Sequence, residues 1–520
     1  MKKIATALLS CALSAATLAG CAANAAQVPQ ESQEPHTAAL TATAAASVKS
    51  PKYVFLFIGD GMSYPQIQST SDYLGALKDA DYWQAQPSLD DNQGAILDGP
   101  EYLNFMNFEA AGSAVTYDSN SFAPDSASTA TSISTGHKTY SGSINVDETG
   151  TIEYETIAEQ LKAQKGWEIG VITSVNLNHA TPAAFYAHQA SRSSYYEIGL
   201  ELVESGFDYF AGGGLLKPTG SSGDQTDLYE LAQEAGYTVA KTHAEADAIG
   251  TNTEKAIIID EDLADSDAMA YELDRTDDMW ALADYVAKGI EVLDNDTGFF
   301  MMCEGGKIDW ACHANDAASS IHDTQALADA VQVAIDFAKE HADETLILVT
   351  GDHETGGLTI GFAGTDYDTY LDLLENQKIS FAKYDSDYVA SYKANKTPFG
   401  TVLAHIEKLF GLKAQGEEGD KLVLTEYEME QLRAAYEKSV NGTAASQYEQ
   451  EEYVLYGTYE PLSVTITHII NNKSGISFTS YSHTGLPVAV LAEGAGSEMF
   501  NGYYDNTDIY NKLADLLNIA

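Results

Sequence analysis

Residues 53–61 read YVFLFIGDG, six apolar residues followed by an aspartate between two glycines. A run that is apolar at every position indicates a strand covered on both faces, as in parallel sheets. Similar runs recur along the chain, at 169–173, 207–211, 256–259, 299–302, 345–350 and 487–491. Helical patterns lie between or after them, including 156–164, 317–338 and 507–517. The sequence therefore predicts an α/β fold with a mostly parallel central β-sheet sandwiched between helices.

The composition excludes one class of function. With 27 basic and 77 acidic residues among 520, the chain has a formal net charge of −50. A field of this sign repels nucleic acid, so we expect no nucleic-acid binding. Hydrophobic residues make up 44% of the chain and aromatic residues 10%, which is too much for a disordered acidic polymer. The charge is therefore expected to cover the surface of a large folded protein.

The N-terminus has the pattern of an export signal. Two lysines precede an apolar run over residues 4–18, and the box Leu18-Ala19-Gly20-Cys21 ends it. This box resembles a bacterial lipoprotein signal, which implies that residues 1–20 are removed and that Cys21 carries a lipid. The alternative is an ordinary signal peptide with a chance cysteine. Either signal predicts an exported protein of the cell envelope, in the periplasm or on the outer surface.

Two cysteines, Cys303 and Cys312, remain after the signal and the lipidation position are set aside. Two thiols do not make a disulfide framework, and their spacing is not that of a zinc finger. We expect buried free thiols. A single disulfide and a metal contact stay open as alternatives.

Residues 366–460 differ in character from the rest, because tyrosines are frequent and apolar runs are rare. The pattern predicts an inserted subdomain with two helices. One covers 400–410 and ends at Gly411, and the other begins with the capping box of Thr425 and Glu428. The predicted organisation is a signal at 1–20, a flexible tether at 21–50, a catalytic α/β core at 51–365, the insertion at 366–460 and the rest of the core at 461–520.

Acids and histidines directly follow three of the apolar runs: Asp60, then Glu304 and Asp309, then Asp352 and His353. The carboxyl ends of parallel strands meet at one rim, so these side chains are expected to lie together. Asp309 and His313 are four residues apart, a spacing that places both on one face of a helix. The adjacent glycines would let backbone approach a small ligand closely. Carboxylates and imidazoles on one rim indicate a metal site, although any one of these histidines alone would pass for an ordinary hydrogen-bonded residue.

A nucleophile candidate lies in the stretch Asp125-Ser126-Ala127. Asp125 is suited to cap a helix that runs to Thr135 and ends at Gly136. Ser126 would then lie in the first turn, where the helix dipole and free N–H groups favour an anion. A serine with no role beyond the helix start is the alternative.

Together these motifs resemble the alkaline phosphatase family. The matching segments are FIGDGM at 57–62, DSA at 125–127, ATPAA at 180–184 with His188 and Ser191-Arg192, Glu304 with Asp309 and His313, TGDHETGG at 350–357, and SHTG at 482–485. The agreement covers residues 51–364 and 465–520 in one order. The resemblance is to bacterial, metal-dependent members with a large insertion.

The resemblance implies a reaction and a set of ligands. A serine hydroxyl, here that of Ser126, would attack phosphate monoesters and form a phosphoserine, which water splits to release inorganic phosphate. The guanidinium of Arg192 would hold two phosphoryl oxygens. One Zn²⁺ would be held by Asp309, His313 and His483, a second Zn²⁺ by Asp60, Asp352 and His353 beside Ser126, and one Mg²⁺ by Asp60, Thr181 and Glu304.

Two positions depart from the enteric form of the family. His179 stands where that form has an aspartate, and Trp310 stands where it has a lysine. Both residues, with Asp125, are expected to border the bound phosphate. Because His179 replaces an anion and Trp310 removes a cation, the third ion and the pH optimum are expected to differ from the enteric form.

The resemblance also implies a homodimer, with the insertion as a crown over the site or an arm around the partner. A surface subdomain without a partner is the alternative for the insertion. A sulfatase would need a Cys or Ser followed by x-Pro-x-Arg, and no such motif occurs. A phosphodiesterase or mutase relative and a silent phosphate-binding lipoprotein stay open as other functions.

Overall fold

The computed structural model describes residues 50–79, 82, 96–442 and 449–519. The predicted signal, Cys21 and the tether up to residue 49 lie outside the described residues. Residues from Val48 to Ala520 group into one compact unit, which includes the predicted insertion. In the part of the chain that the structure describes, no helix combines the length and the apolar character needed to cross a membrane.

A ten-stranded sheet is the centre of the fold. The strands of the described residues are β1 (Tyr53–Gly59), β2 (Ala110–Val115), β3 (Glu168–Asn176), β4 (Tyr209–Gly213), β5 (Thr238–Ala240), β6 (Ala256–Ile259), β7 (Phe299–Gly305), β8 (Thr345–Gly351), β9 (Glu354–Thr355), β10 (Thr359–Ile360), β11 (Ile476–Ser477), β12 (His483–Thr484), β13 (Val488–Gly494) and β14 (Gly502–Asp505). The sheet order is β14-β2-β13-β8-β1-β7-β3-β4-β6-β5, with β10-β11 and β12-β9 as separate pairs. All pairings in the large sheet are parallel except those of β13 with β2 and β8. The predicted mostly parallel central sheet is confirmed.

Helices pack on both faces of this sheet. Those of the described residues are α1 (Tyr64–Lys78), α2 (Ser126–Thr135), α3 (Ile157–Lys165), α4 (Ala180–Ala183), α5 (Tyr195–Ser205), α6 (Leu228–Glu234), α7 (His243–Asp247), α8 (Leu282–Leu293), α9 (Lys307–His313), α10 (Ala317–Glu340), α11 (Phe381–Tyr384), α12 (Ala390–Asn395), α13 (Phe399–Phe410), α14 (Glu426–Asn441), α15 (Gln450–Tyr456), α16 (Pro461–Ser474) and α17 (Thr507–Leu517). Single 3₁₀ or π turns cover Asn104–Asn107, Asp265–Asp267, Glu272–Asp274, Leu371–Asn376, Asp385–Val389 and Ser497–Phe500.

The unbroken apolar runs reflect a sheet that is buried on both faces. All seven residues of β1 are buried. Val54 and Leu56 point into the core on one face, together with Ile133 and Ile509, while Phe55 packs on the other face. Side chains alternate across a strand, so a strand with helices on both sides must be apolar at every position.

The predicted runs all correspond to strands, with shifts of a few residues at their ends. The helices predicted at 156–164, 317–338 and 507–517 are α3, α10 and α17. The sequence prediction missed three strands of the large sheet, β2, β5 and β14, and the four two-residue strands β9 to β12. The sequence of β2 is AAGSAV, whose small residues give no apolar run, yet they are required because a Cβ at Gly112 would lie 2.1 Å from the carbonyl oxygen of Phe500.

The insertion contains more helices than the two predicted. Both predicted helices are present: α13 ends at Gly411 with φ of 73°. Thr425 and Glu428 form the capping box that begins α14. The prediction of two helices was wrong in number, because α11, α12 and α15 are only four to seven residues long and carry no full amphipathic repeat.

The insertion has an apolar cluster of its own that reaches into neighbouring helices. Leu374, Phe410 and Leu432 pack in this cluster with Ile321 of α10 and Ile466 of α16. Helix α16, which the sequence assigned to the returning core, is therefore also a packing partner of the insertion.

The thiols of Cys303 and Cys312 are both free and buried. This observation confirms the preferred interpretation from the sequence and excludes the disulfide between them. Burial raises the pKa of each thiol, so both are kept protonated and unreactive.

Candidate active site

The three strand ends that carry the predicted ligands meet in register at one rim. Strand β1 lies between β7 and β8, and Gly59 is paired with Gly305 on one side and with Gly351 on the other. The loops that follow these glycines therefore leave the sheet at the same level. Asp60, Asp352 and the start of α9 are brought together in this way.

Two glycines at the rim are needed for the chain's own packing. A Cβ at Gly351 would lie 1.8 Å from the carbonyl oxygen of Met62. Gly61 has a φ of 71°, and its Cβ would lie 2.9 Å from the Cα of Asp309. These two glycines let segments of the rim touch, and the sequence interpretation, in which glycine also admits a small ligand, stays a prediction.

Asp60, Asp352 and His353 form the first candidate ligand set, with one donor atom of each within 4.8 Å of the others. His353 Nε2 lies 3.3 Å from Asp60 Oδ1 and 3.3 Å from Asp352 Oδ2. The other oxygen of Asp352 accepts hydrogen bonds from the N–H groups of Gly61 and His353. This second contact fixes the carboxylate and leaves Oδ2 directed at the site.

The first set is negatively charged and buried. Burial, followed by the charges of Asp352 and Asp309, raises the pKa of Asp60 well above its usual range. Burial also raises the pKa of Asp352 to about 6 and lowers that of His353 to about 4. Crowded carboxylates without a counter-charge are the donor environment that a divalent cation relieves.

Asp309, His313 and His483 form the second candidate ligand set. His313 Nδ1 lies 2.6 Å from the carbonyl oxygen of Tyr481, and His483 Nδ1 lies 2.6 Å from that of Pro124. A carbonyl accepts only, so both Nδ1 atoms carry hydrogen and both Nε2 atoms face inward, 3.1 Å apart. Two nitrogens directed at each other beside a carboxylate fit a shared cation, with the carbonyls as orienting partners.

His483 reaches the rim through the short pairing of β12 with β9. His483 pairs with Thr355, and the rings of His353 and His483 stack with centroids 3.7 Å apart. The two ligand sets are thus neighbours, although His353 and His483 are far apart in the sequence.

Glu304 marks a third position beside Asp60. Its Oε2 accepts a hydrogen bond from Thr173, while its Oε1 is buried and has no hydrogen-bond partner among the described residues. Burial raises the pKa of Glu304 to about 7. Thr181 Oγ1 donates to Asp60 Oδ2 at 3.3 Å. The unpaired oxygen between these groups fits a further cation.

Ser126 begins α2, as the sequence predicts. Asp125 caps the helix by accepting the N–H of Ser128 at 3.1 Å, and Gly136 ends it with φ of 75°. The Oγ of Ser126 lies 3.1 Å from His353 Nε2 and 3.5 Å from Asp60 Oδ1. The hydroxyl therefore faces the first ligand set from the positive end of a helix.

Arg192 is held by its neighbours at the edge of the same pocket. Its Nη1 donates to Asp125 Oδ2 at 2.9 Å, and its Nη2 lies 3.4 Å from His179 Nε2. Burial opposes ionisation of Asp125, but the charge of Arg192 together with hydrogen bonds from Gly142, Arg192 and Ser128 outweighs burial and keeps the pKa of Asp125 below its usual range. Asp125 thus contacts Arg192 and the helix start, whereas His179 and Trp310 line the pocket wall.

His188 fixes the loop that leads to Arg192. Its Nε2 lies 3.5 Å from a Glu159 oxygen, and its Nδ1 lies 3.8 Å from a Glu201 oxygen. Burial opposes protonation of His188, but the hydrogen bonds and charges of these two glutamates outweigh it and raise its pKa to about 10.

This pair of contacts predicts a pH-dependent stability. Since the folded pKa exceeds the unfolded value, His188 stabilises the fold fully below about pH 6.5 and loses that effect as the pH rises through 10. We expect His188→Gln to cost about 2 kcal/mol at pH 6 and much less near pH 10.5. Urea unfolding of both proteins at the two pH values measures the difference. An equal cost at both would contradict the charged pairing.

The rim opens into a cavity of about 540 Å³ that contains both predicted and unpredicted residues. Its walls are formed by Ser126, His179, Arg192, Asp265, Ser266, Tyr271, Asp309, Trp310, His313, Phe381, Tyr459 and His483. Asp265, Ser266, Tyr271, Phe381 and Tyr459 were missed by the sequence reasoning. The tyrosine-rich character of the insertion was the available signal for the last of them.

The sequence relationships agree with this geometry. Residues 51–519 match the family model described as alkaline phosphatase. The chain belongs to the alkaline phosphatase family. Alkaline phosphatase 4 of Bacillus subtilis (strain 168) is 29% identical over 473 residues, 89% of this chain and 88% of that protein. Alkaline phosphatase 3 of the same organism is 30% identical over 470 residues, 88% and 87% of the two chains.

Solved alkaline phosphatases share the fold. The cold-active enzyme from a psychrophilic Shewanella sp. aligns with a TM-score of 0.68 at 28% identity, covering 89% of this chain and 99% of that one. The Thermus thermophilus enzyme aligns with a TM-score of 0.72 at 22% identity, covering 91% and 93%. The predicted family, and with it the class of phosphoric monoester hydrolase, is confirmed.

Proposed function

We propose that this alkaline phosphatase hydrolyses phosphate monoesters through a phosphoserine at Ser126, in a site for two Zn²⁺ and one Mg²⁺. The observation that carries the proposal is the position of the Ser126 hydroxyl. It lies at a helix N-terminus, 3.1 Å from the imidazole of His353, and lines the same cavity as Arg192. This arrangement supplies a nucleophile, an anion clamp and ligands for cations at one point.

Each of three sets of donor atoms would bind one of the ions. His313, His483 and Asp309 offer two nitrogens and one oxygen, which is a set that suits Zn²⁺. Asp60, Asp352 and His353 offer a second such set beside Ser126. The oxygen donors Asp60, Thr181 and Glu304 suit Mg²⁺, which prefers oxygen ligands.

Evidence other than the sequence motif also supports Mg²⁺ at the third position. Two variants of the alkaline phosphatase from the Antarctic bacterium TAB5, in which one histidine is replaced by Glu or Asp, have Mg bound in their M3 site. In this chain His179 lies near Arg192, and its Nδ1 is buried without a partner among the described residues. We propose that His179 weakens Mg²⁺ binding relative to an aspartate there, which metal titration of His179→Asp would test.

The protein groups act on the substrate in a defined order. Arg192 holds two nonbridging oxygens and the first-turn N–H groups of α2 favour the dianion. Ser126 Oγ loses its proton and attacks phosphorus as the bond to the leaving oxygen breaks, and the leaving oxygen takes up one proton and departs as the alcohol. Water then attacks the phosphoserine, the phosphorus–Oγ bond breaks, and inorganic phosphate is released. When bound, the cations would stabilise the serine anion and the leaving oxygen.

Arg192→Lys is expected to lower kcat/KM for p-nitrophenyl phosphate by about 10- to 100-fold. A lysine keeps the charge but offers no planar fork for two phosphoryl oxygens, and it also loses the contact with Asp125. Steady-state kinetics measure the loss. A matched Lys→Arg change at exposed Lys339 should have no effect, and an unchanged kcat/KM in Arg192→Lys would contradict the clamp.

The monoesterase proposal is tested by comparing p-nitrophenyl phosphate with its bis-ester. A diester has only two nonbridging oxygens and one negative charge, whereas the monoester dianion has three such oxygens and two charges. The anion site should favour the dianion, so we expect the monoester to be preferred about a hundredfold or more. Preference for the bis-ester would support a phosphodiesterase instead. Phosphate binding without turnover of either ester would support the silent binding protein.

Three further proposals concern assembly and location. We propose that the protein is exported, anchored by a lipid at Cys21, and homodimeric. Membrane partition that is lost in Cys21→Ser tests the anchor, because the lipid on Cys21 would be the main source of membrane affinity. An apolar groove lined by Tyr64, Met106, Leu486 and Leu491 supports the dimer, and the mass in solution tests it. A monomer at micromolar concentration would exclude it.

A further inference from the structure

Four aromatic side chains line the same cavity as Ser126 and Arg192. They are Tyr271, Trp310, Phe381 and Tyr459, here called the aromatic wall. The ring centroids of Tyr271 and Phe381 are 5.7 Å apart, and those of Phe381 and Tyr459 are 5.8 Å apart, both edge to face. The wall joins a small apolar cluster with Ala311 and Ala314 of α9, the helix that carries Asp309 and His313. Phosphate and leaving group would thus be bordered by one helix.

The aromatic wall is fixed before any ligand binds. The backbone N–H of Phe381 donates to Asp316 Oδ2 at 2.9 Å, and Asp316 also caps α10 of the core. Lys307 lies beneath the wall, with its Nζ 4.0 Å from the Tyr271 ring centroid and 4.6 Å from that of Trp310. Rings held in this way lose little entropy on binding a flat ligand.

The polar atoms of the wall restrict the kind of ligand. The hydroxyl of Tyr271 is buried and has no hydrogen-bond partner among the described residues, and the residue is 1% exposed. Asp265, which also lines the cavity, is neutralised by Lys307 at 2.7 Å. The wall therefore offers the partly exposed rings of Trp310 and Tyr459 without a net charge, while the Tyr271 hydroxyl is buried beneath the surface of the cavity.

We infer that the aromatic wall is a leaving-group subsite for a planar heteroaromatic ring, so that nucleoside monophosphates are preferred over monoesters of simple sugars. The inference rests on the proposed monoesterase function. In-line displacement directs the leaving alcohol away from Ser126, toward the remaining volume of the 540 Å³ cavity. A heteroaromatic base can stack on the partly exposed rings of Trp310 and Tyr459, whereas a sugar alone has no flat ring face to stack.

The test compares AMP with ribose 5-phosphate. Both release a primary alcohol from the same ribose carbon, so the intrinsic reactivity of the bond is matched and only the base differs. We expect kcat/KM for AMP to exceed that for ribose 5-phosphate by about tenfold or more, the range that stacking of one base supplies. The ratio of the two constants is the readout, because a general loss of activity leaves it unchanged.

Substitutions in the aromatic wall test whether the wall causes the preference for AMP. Tyr459→Leu should reduce the ratio severalfold, and Tyr459→Phe, which keeps the ring, should keep the ratio. Tyr427→Leu, which changes an insertion tyrosine that is 68% exposed, is the matched control and should leave the ratio as it is.

Two outcomes would overturn the inference, and they are separable. Hydrolysis of both esters with equal kcat/KM, or a ratio that no wall variant changes, would overturn the subsite while the monoesterase function stands. Failure of the wild type to hydrolyse either ester would overturn the proposed function and the subsite with it.

Discussion

Replacement of Ser126 by alanine is expected to lower kcat/KM for p-nitrophenyl phosphate by about a thousandfold or more. The hydroxyl is the only side-chain group of that residue that can bond to phosphorus. Arg192 and the helix N-terminus would remain, so the variant should still bind inorganic phosphate. Residual turnover would then come from direct attack by water on a positioned ester.

The control for this variant lies in the same helix. Ser132 is buried like Ser126, and its hydroxyl donates to the carbonyl of Ser128, away from the ligand sets. Ser132→Ala should keep nearly all activity. Rapid acid quenching during turnover should trap labelled phosphate on the wild type and on Ser132→Ala but not on Ser126→Ala. Full activity of Ser126→Ala would show that this serine is no more than part of the helix start.

Removal of divalent ions by a chelator is expected to abolish turnover and to lower the melting temperature of the protein by several degrees or more. Without ions, the buried acids Asp60, Asp352 and Glu304 repel one another, and the Nε2 atoms of His313 and His483 face each other at 3.1 Å. A cation stabilises the folded chain because the unfolded chain does not hold these groups together.

Metal analysis separates catalysis from stability in this experiment. Chelated Ser126→Ala should lose the same number of degrees as the chelated wild type, since its ligand sets are nearly intact. His483→Gln should bind about one zinc fewer, whereas His405→Gln, in the insertion beside Tyr392, should bind the wild-type amount. Addition of Zn²⁺ with Mg²⁺ should restore the chelated wild type. Full turnover by a metal-free preparation would contradict the proposed mechanism.

Much of the secondary structure could be predicted from local sequence patterns. The apolar runs at β1, β7 and β8 were readable because a strand covered on both faces has no polar position. The helix from Ser126 to Thr135 was readable because its two ends have side-chain and glycine signals of their own. The same holds for the capping box of Thr425 and Glu428.

Structural features that depend on contacts between distant parts of the chain could not be predicted from the sequence. Strand β2 is a strand because its small residues fit against Phe500 and Tyr504, which lie almost four hundred residues away. The short helices of the insertion depend on packing against α10 and α16 rather than on their own periodicity. Tyr271 and Phe381 reach the cavity through Lys307 and Asp316, contacts with no local signature.

The sequence by itself determined the fold class through its apolar runs and the family through short motifs, and those motifs also predicted which residues hold metal ions. Only the tertiary structure decided how these residues meet. The register of β1 with β7 and β8 brings the acids to one level. The pairing of β12 with β9 brings His483 against His353. The aromatic wall exists only after the insertion folds onto the core, because its rings come from segments that no local pattern connects.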